Sequence, residues 1–241
     1  MIPVTPPNTA IYAVGDLHGR HDLLEAMTER IDDDARLRRA RQKLIVYLGD
    51  YVSRGLDSRR VVDMVLAPAP PDFARVYLKG NHEDSLLRYL AGDFVAGRFW
   101  FDNDGMDTLA HYGVEIPDRG ARDDETMTLL RERFAAALPP AHLDFFRSLR
   151  DAYRAGGYYF AHAGVRPGVP LDRQSAADCI WIREPFLTSD VDHGAVVVHG
   201  HSISERPALR YNRIGIDTGA YRTGVLTCLV LEGATRALLQ T

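Results

Sequence analysis

Three times in the first ninety residues an apolar run stops at a glycine paired with a polar residue, and an amphipathic segment follows. This cycle constrains the fold more than any other feature of the chain. Ala10–Val14 ends at Gly15-Asp16 and leads to His21–Ile31, where Leu24, Met27 and Ile31 share one helical face. Leu44–Leu48 ends at Gly49-Asp50 and leads to Asp57–Ala67, with Val61, Val62, Val65 and Leu66 turned inward. Arg75–Leu78 runs into Gly80-Asn81-His82-Glu83 and the helix-like Asp84–Leu90. A βαβαβα pattern of this kind predicts an α/β fold with buried strands.

The alternation fades between Asp93 and Leu138, where only Thr126–Leu138 reads as helix. We expect this segment, about 93–138, to be an insertion or cap on a single domain spanning 1–241. Ala141–Leu149 should be a helix, because Pro139-Pro140 is a start signal. Strands then dominate: Tyr158–Ala161, Ala195–Val198, Ile214–Asp217, Val225–Leu231 and Ala234–Leu239, with Glu232-Gly233-Ala234 as a hairpin turn. A net charge of -4 without a basic stripe argues against nucleic acid as the main partner. No apolar stretch has membrane-spanning length, and Met1–Asn8 lacks the pattern of a secretory signal, so a cytoplasmic location and no membrane partner are expected. Cys179 and Cys228 stand far apart without a second thiol nearby, which predicts buried, reduced side chains rather than a disulfide or a thiolate metal site.

Polar residues at the carboxyl ends of buried strands face a shared crevice, so Asp16, Asp50 and Asn81 should converge. Asp50 is the natural bridge between two ions, with Asp16 and His18 on one and Asn81 on the other. His162, in Ala161-His162-Ala163-Gly164, and His201, in His199-Gly200-His201-Ser202, would complete the second. Oxygen and imidazole donors without thiolates favour divalent Mn, with Fe or Zn as further candidates. Two closely spaced ions can hold a bridging hydroxide for in-line attack on phosphorus and neutralise phosphoryl charge. His82 is placed to protonate the leaving oxygen, and Arg54 and Arg183 to grip phosphate. Asn103, in Asp102-Asn103-Asp104-Gly105, reads as a turn residue or a lining of the substrate entrance, and His199 stays open between ligand and supporting residue. His21, His111, His142 and His193 read as surface or packing residues, and Arg36–Arg41 as a solvated helix face.

Taken in order, Gly-Asp-x-His-Gly, Gly-Asp-x-Val-x-Arg-Gly, Gly-Asn-His-Glu, His-Ala-Gly and Gly-His-Ser resemble the metallophosphoesterase superfamily. Within it they are similar to the bacterial phosphoprotein phosphatases, which include the phage lambda type, and Ile216–Ala220 carries the resemblance through most of the chain. The resemblance implies a calcineurin-like fold, a β-sandwich of two mixed sheets flanked by helices. It implies Asp16, His18 and Asp50 at a first metal, and Asp50, Asn81, His162 and His201 at a second. His82 is implied as proton donor, and Arg54 and Arg183 as phosphate ligands. The activity implied is that of a Ser/Thr protein phosphatase-like phosphomonoesterase acting on a phosphorylated protein or small phosphoester. A symmetrical dinucleoside tetraphosphate hydrolase on the same scaffold is the rival, and a weakened phosphatase that binds phosphorylated partners is a third reading.

One position departs from the family pattern. The second block normally carries aspartate where this chain has Ser53, and that aspartate hydrogen-bonds the catalytic histidine. Serine adds no charge, so Ser53 is expected to weaken proton donation by His82 while sparing the metals. Activated aryl phosphates should then be cleaved better than phosphoserine or phosphothreonine.

Overall fold

The computed structural model describes residues 2–241, and β1 (Thr9–Val14) shows how they stack into layers. Successive side chains of a strand point to opposite faces. Ala10, Tyr12 and Val14 therefore enter a core shared with helices, whereas Ile11 and Ala13 enter a second core between two sheets. β2 (Gln42–Tyr47) and β3 (Phe73–Tyr77) lie in parallel beyond β1, reached through α1 (His21–Leu37) and α2 (Ser58–Leu66). Asp57 starts α2 by accepting the Arg60 N–H at 2.9 Å. α1 runs past Ile31 and buries Ala35 one turn later. It stops at Leu37, so Arg36–Arg41 is not one helix face: Arg38 folds back onto Asp34 at 2.7 Å and reaches Glu232 at 3.6 Å.

α3 (Asn81–Leu90) begins at the polar block itself, so Asn81 and His82 sit in its first turn. The segment expected as a mostly non-helical cap is instead α4 (Phe94–Asp102), α5 (Gly105–His111) and α6 (Asp124–Ala137). Their spacing is helical, with Ala96, Gly97, Trp100 and Phe101 buried on α4, but α4 is short and also exposes apolar Val95 and Phe99, which blurs the period in the sequence. Trp100, Met106, Leu109, Met127 and Phe134 pack into the same core as Tyr12 and Val62, continuous with the β/α units. α7 (Pro140–Ser148) follows, one residue earlier than expected.

The second sheet begins with β4 (Ala152–Ala155), a strand the sequence reading missed, and β5 (Tyr158–Ala161), joined through Gly156 in the left-handed region at φ 58°. α8 (Ala176–Trp181), β6 (Val196–His199), the two-residue β7 (Ala208–Leu209) and β8 (Arg213–Gly215) follow. After α9 (Ala220–Thr223) the chain returns to the first sheet as β9 (Thr227–Glu232) and β10 (Thr235–Gln240). These two pair antiparallel around Gly233, as the turn signal predicts. The strand orders are β10-β9-β1-β2-β3 and β4-β5-β6-β8-β7, both mixed, with helices outside. Leu44, Val46 and Val76 meet Tyr158, Phe160 and Val198 between the sheets, each burial contributing about 1.5–3 kcal/mol relative to exposure. β1, β2, β5 and β6 all end at the same edge of this sandwich, which is where the polar blocks emerge.

Candidate active site

The strand-end loops approach one another so closely that only glycine fits between them. A Cβ on Gly80 would collide with Asp50 Oδ1, and one on Gly200 with Asp16 Oδ1. Five polar residues of the strand-end loops adopt the left-handed backbone region: His18 at φ 41°, Asp50 at 52°, Ser53 at 71°, Arg54 at 70° and His201 at 61°. Such conformations cost about 1–3 kcal/mol each and persist where the surroundings hold them. Glu83 is one holder. Buried completely in the first turn of α3, its carboxylate accepts the backbone N–H groups of Asp50, Tyr51, Val52 and Gly80 at 2.9–3.2 Å. Burial and the nearby charge of Asp50 push its pKa up to about 8 against the downward pull of these donors. Four donors on two oxygens suit the ionised form.

His18, Asp50 and His82 form one group whose donor atoms lie within 4.8 Å of one another, and Asp50, His162 and His201 form another. Asp50 Oδ2 is 3.4 Å from His18 Nε2 and 3.5 Å from His162 Nε2. Asn81 Oδ1 is 3.0 Å from His162 Nε2 and 2.9 Å from His201 Nδ1. The outer ring nitrogens settle how these imidazoles are used. His18 Nδ1 donates to Val52 O at 3.0 Å and His162 Nδ1 to Leu48 O at 2.9 Å, since a carbonyl only accepts. In the neutral ring Nε2 then points a lone pair at carboxylate or amide oxygens. Acceptors facing acceptors at this range require a cation among them, and an imidazole anchored by its other nitrogen is the usual form of a metal ligand. The donor set therefore fits two divalent ions.

Electrostatics agree. Burial pushes His18 down to about 4, His82 to about 3 and His201 to about 2, so these rings are neutral donors at neutral pH. Burial acts to raise the Asp50 carboxyl, but the rings of His162, His82, His18 and His201 outweigh it and hold the carboxyl below the ordinary carboxylate range. Asp16 is shifted up by burial, then by Asp217 and Asp50. Its carboxylate accepts the His201 backbone N–H at 3.0 Å, whereas His82 stands at ligand distance from His18 and Asp50. Asp217, not among the expected site residues, is buried with Asp16 and accepts the Gly219 N–H at 2.8 Å. His199 turns away from the cluster, donating to Gly200 O at 3.0 Å, with Phe186 edge-on and Arg213 Nη1 3.4 Å from Nε2. Cys179 and Cys228 are buried and free.

Above the cluster opens a cavity of about 430 Å³ lined by His18, Asp50, Asn81 and His201, by Arg54, Arg183 and Asn103, and by Phe99, Trp181, Ile203 and Tyr221. Arg54 lies 4.6 Å over the Tyr221 ring, and Arg183 donates to Ser202 Oγ at 3.0 Å. Asn103 ends α4, its Nδ2 donating to Phe99 O at 2.8 Å. Phe99, Trp181 and Tyr221 have no signature in the sequence that marks them as pocket residues.

Ser53 does not meet His82. Its hydroxyl, completely buried, accepts the Trp100 indole N–H at 3.0 Å and lies 3.4 Å from Thr108 Oγ1, while its N–H donates to Ser58 Oγ and Thr108 Oγ1 at 3.0 Å. The hydroxyl, expected among the catalytic groups, is thus a brace between the Arg54 loop and α4–α5. His82 Nδ1 is buried without a hydrogen-bond partner among the described residues, and the ring stands edge-on to His18 at 4.7 Å.

Residues 9–217 match the sequence profile described as calcineurin-like phosphoesterase. The asymmetrical bis(5'-nucleosyl)-tetraphosphatase PrpE of Anoxybacillus flavithermus is 26% identical over 234 residues, covering 90% of this chain and 88% of that protein. The symmetrical bis(5'-nucleosyl)-tetraphosphatase of Delftia acidovorans is 33% identical over 158 residues, 66% of this chain and 45% of that protein. The crystal structure of a candidate diadenosine tetraphosphatase superposes with a TM-score of 0.64 at 20% identity, over 98% of this chain and 96% of that one, a likeness of fold. Among the described residues, no helix is long and apolar enough to cross a membrane.

Proposed function

The chain belongs to the calcineurin-like phosphoesterase family and is a metal-dependent phosphoesterase, and from that premise we propose that it hydrolyses the phosphoanhydride chain of a dinucleoside tetraphosphate. Asp16, His18, Asp50, Asn81, His162 and His201 would hold two divalent ions, Mn being the first to test. Bound there, they supply an activated water and neutralise phosphoryl charge. Arg54 and Arg183 grip the phosphates from the cavity walls, Arg54 being held over the Tyr221 ring.

The observation that carries this reading over phosphoprotein hydrolysis is the state of His82. Nδ1 has no partner among the described residues, Ser53 is committed to Trp100, and the one carboxylate grouped with the ring, Asp50, is the residue that would hold metal, so no carboxylate is left to support an imidazolium there. A serine or threonine leaving group departs as an alkoxide, close to hydroxide in basicity, and needs that proton. A nucleoside phosphate, with a second pKa of about 6, leaves as a stable anion and does not. The names of the relatives support the same substrate class. Water adding to a terminal phosphorus of diadenosine tetraphosphate releases AMP and ATP, the asymmetrical outcome of the relative matched over most of the chain.

The test is a panel on metal-loaded protein: diadenosine tetraphosphate, p-nitrophenyl phosphate and a phosphoserine peptide, with products separated by chromatography. The dinucleotide is expected to exceed the peptide in kcat/KM by at least about a hundredfold, the usual contribution of a general acid. Equal rates on the two would sink the proposal, and release of ADP alone would move the attack to the central phosphorus. Ser53→Asp should raise the rate on the alkyl ester more than on the aryl ester. A uniform change across both esters would show that proton supply is not what separates them.

A further inference from the structure

Two aromatic rings from distant parts of the chain meet at the cavity mouth. Phe99 projects from α4 and Trp181 ends α8, with centroids 5.4 Å apart and planes inclined by 65°. Trp181 Nε1 donates to Asp84 Oδ2 at 3.2 Å, which fixes the indole from α3. Phe99 is 47% exposed, although its neighbour Trp100 is wholly buried, so the register of α4 holds one large apolar ring open to the cavity. The rest of the lining is mostly polar: histidines, Asp50, Asn81 and two arginines. An aromatic ring face kept open in the same cavity as phosphate-gripping cations is complementary to a flat ring joined to phosphate.

We propose that Phe99 and Trp181 form a stacking platform for a nucleobase of the substrate and thereby select nucleotides over simple phosphoesters. The inference rests on the dinucleotide reading above. Its physical basis is that every base presents a π-face, so braced rings contribute affinity without reading base edges. An indole fixed from a second helix, as Trp181 is from α3, loses little freedom when a base lands on it. The other ring chemistry that could lie there is the phenyl group of an aryl phosphate, and the experiment separates the two.

The chain has two tryptophans, and Trp100 is buried, so Trp181 is the emitter that a bound base touches. AMP added to the metal-loaded protein should quench Trp181 emission, inorganic phosphate at equal concentration should not, and Trp181→Phe should lose the quench. In kinetics, Trp181→Ala should lower kcat/KM for diadenosine tetraphosphate about tenfold more than for inorganic tripolyphosphate, chiefly through KM, and Trp181→Phe should restore most of the difference. Phe99→Ala, at an exposed position, should act in the same direction. Equal losses on both substrates would overturn the platform, as would a loss larger on phosphotyrosine than on the dinucleotide. If wild-type protein leaves the dinucleotide intact, the substrate reading fails by itself; quenching by AMP but not phosphate then still upholds the base platform, and its absence refutes it.

Discussion

Asp50→Asn is expected to lower phosphate release by at least about a thousandfold, with loss of bound metal. Asp50 is the member common to both donor groups, with Oδ2 facing His18 and His162 at 3.4 and 3.5 Å and Oδ1 accepting the His82 N–H at 3.1 Å. Asparagine keeps the shape but removes the charge that offsets two divalent ions, and an amide group toward the imidazoles would meet no metal. A loss of about 4 kcal/mol of charge stabilisation corresponds to that factor. The measurement is kcat/KM together with metal content by atomic absorption. Full metal occupancy with a rate within about tenfold of wild type would remove Asp50 from the centre of the site.

Glu83→Gln is expected to lower the melting temperature by about 6–12 °C. The Glu83 carboxylate collects four backbone N–H groups from the two loops that carry Asp50 and Asn81. Glutamine offers one acceptor oxygen, and its amide nitrogen would face N–H groups as a donor against donors. Hydrogen bonds to a charged group are worth about 1.5–3 kcal/mol, and buried donors left unpaired cost about as much. A net cost of about 3 kcal/mol in a domain of this size gives the stated shift. Calorimetry decides it: a shift smaller than about 2 °C would mean that the loops keep their strained shape by other contacts. Activity at low temperature should also fall, because Asp50 takes its position from this network.

The strand ends and their chemistry were readable because they are local. Each apolar run, its glycine and its polar residue are contiguous, so Asp16, His18, Asp50, Asn81, His162 and His201 stand out as candidates in the sequence; the structure brings His18, Asp50, His162 and His201 into donor groups and leaves Asp16 outside both. Other features were not readable. α4 and α5 went unrecognised because each is short, and because α4 exposes apolar Val95 and Phe99 besides burying an apolar face, which blurs its period. β4 was missed because its four residues carry no clear alternation. The partners of Ser53 lie 47 and 55 residues away at Trp100 and Thr108, and nothing in the block around Ser53 points to them. Phe99 and Trp181 meet only because α4 packs against α3, whose Asp84 holds the indole.

The amino-acid sequence by itself determined the α/β alternation, the order of the donor residues and the family, since periodicity and turn chemistry act over a few neighbouring residues. Tertiary structure alone decided what surrounds the donors. It tied Ser53 to an indole rather than to His82, closed Glu83 around four amides and gathered aromatic rings and arginines into one cavity. These outcomes depend on which helix faces pack together, and that is settled by the shared core rather than by any local run of residues.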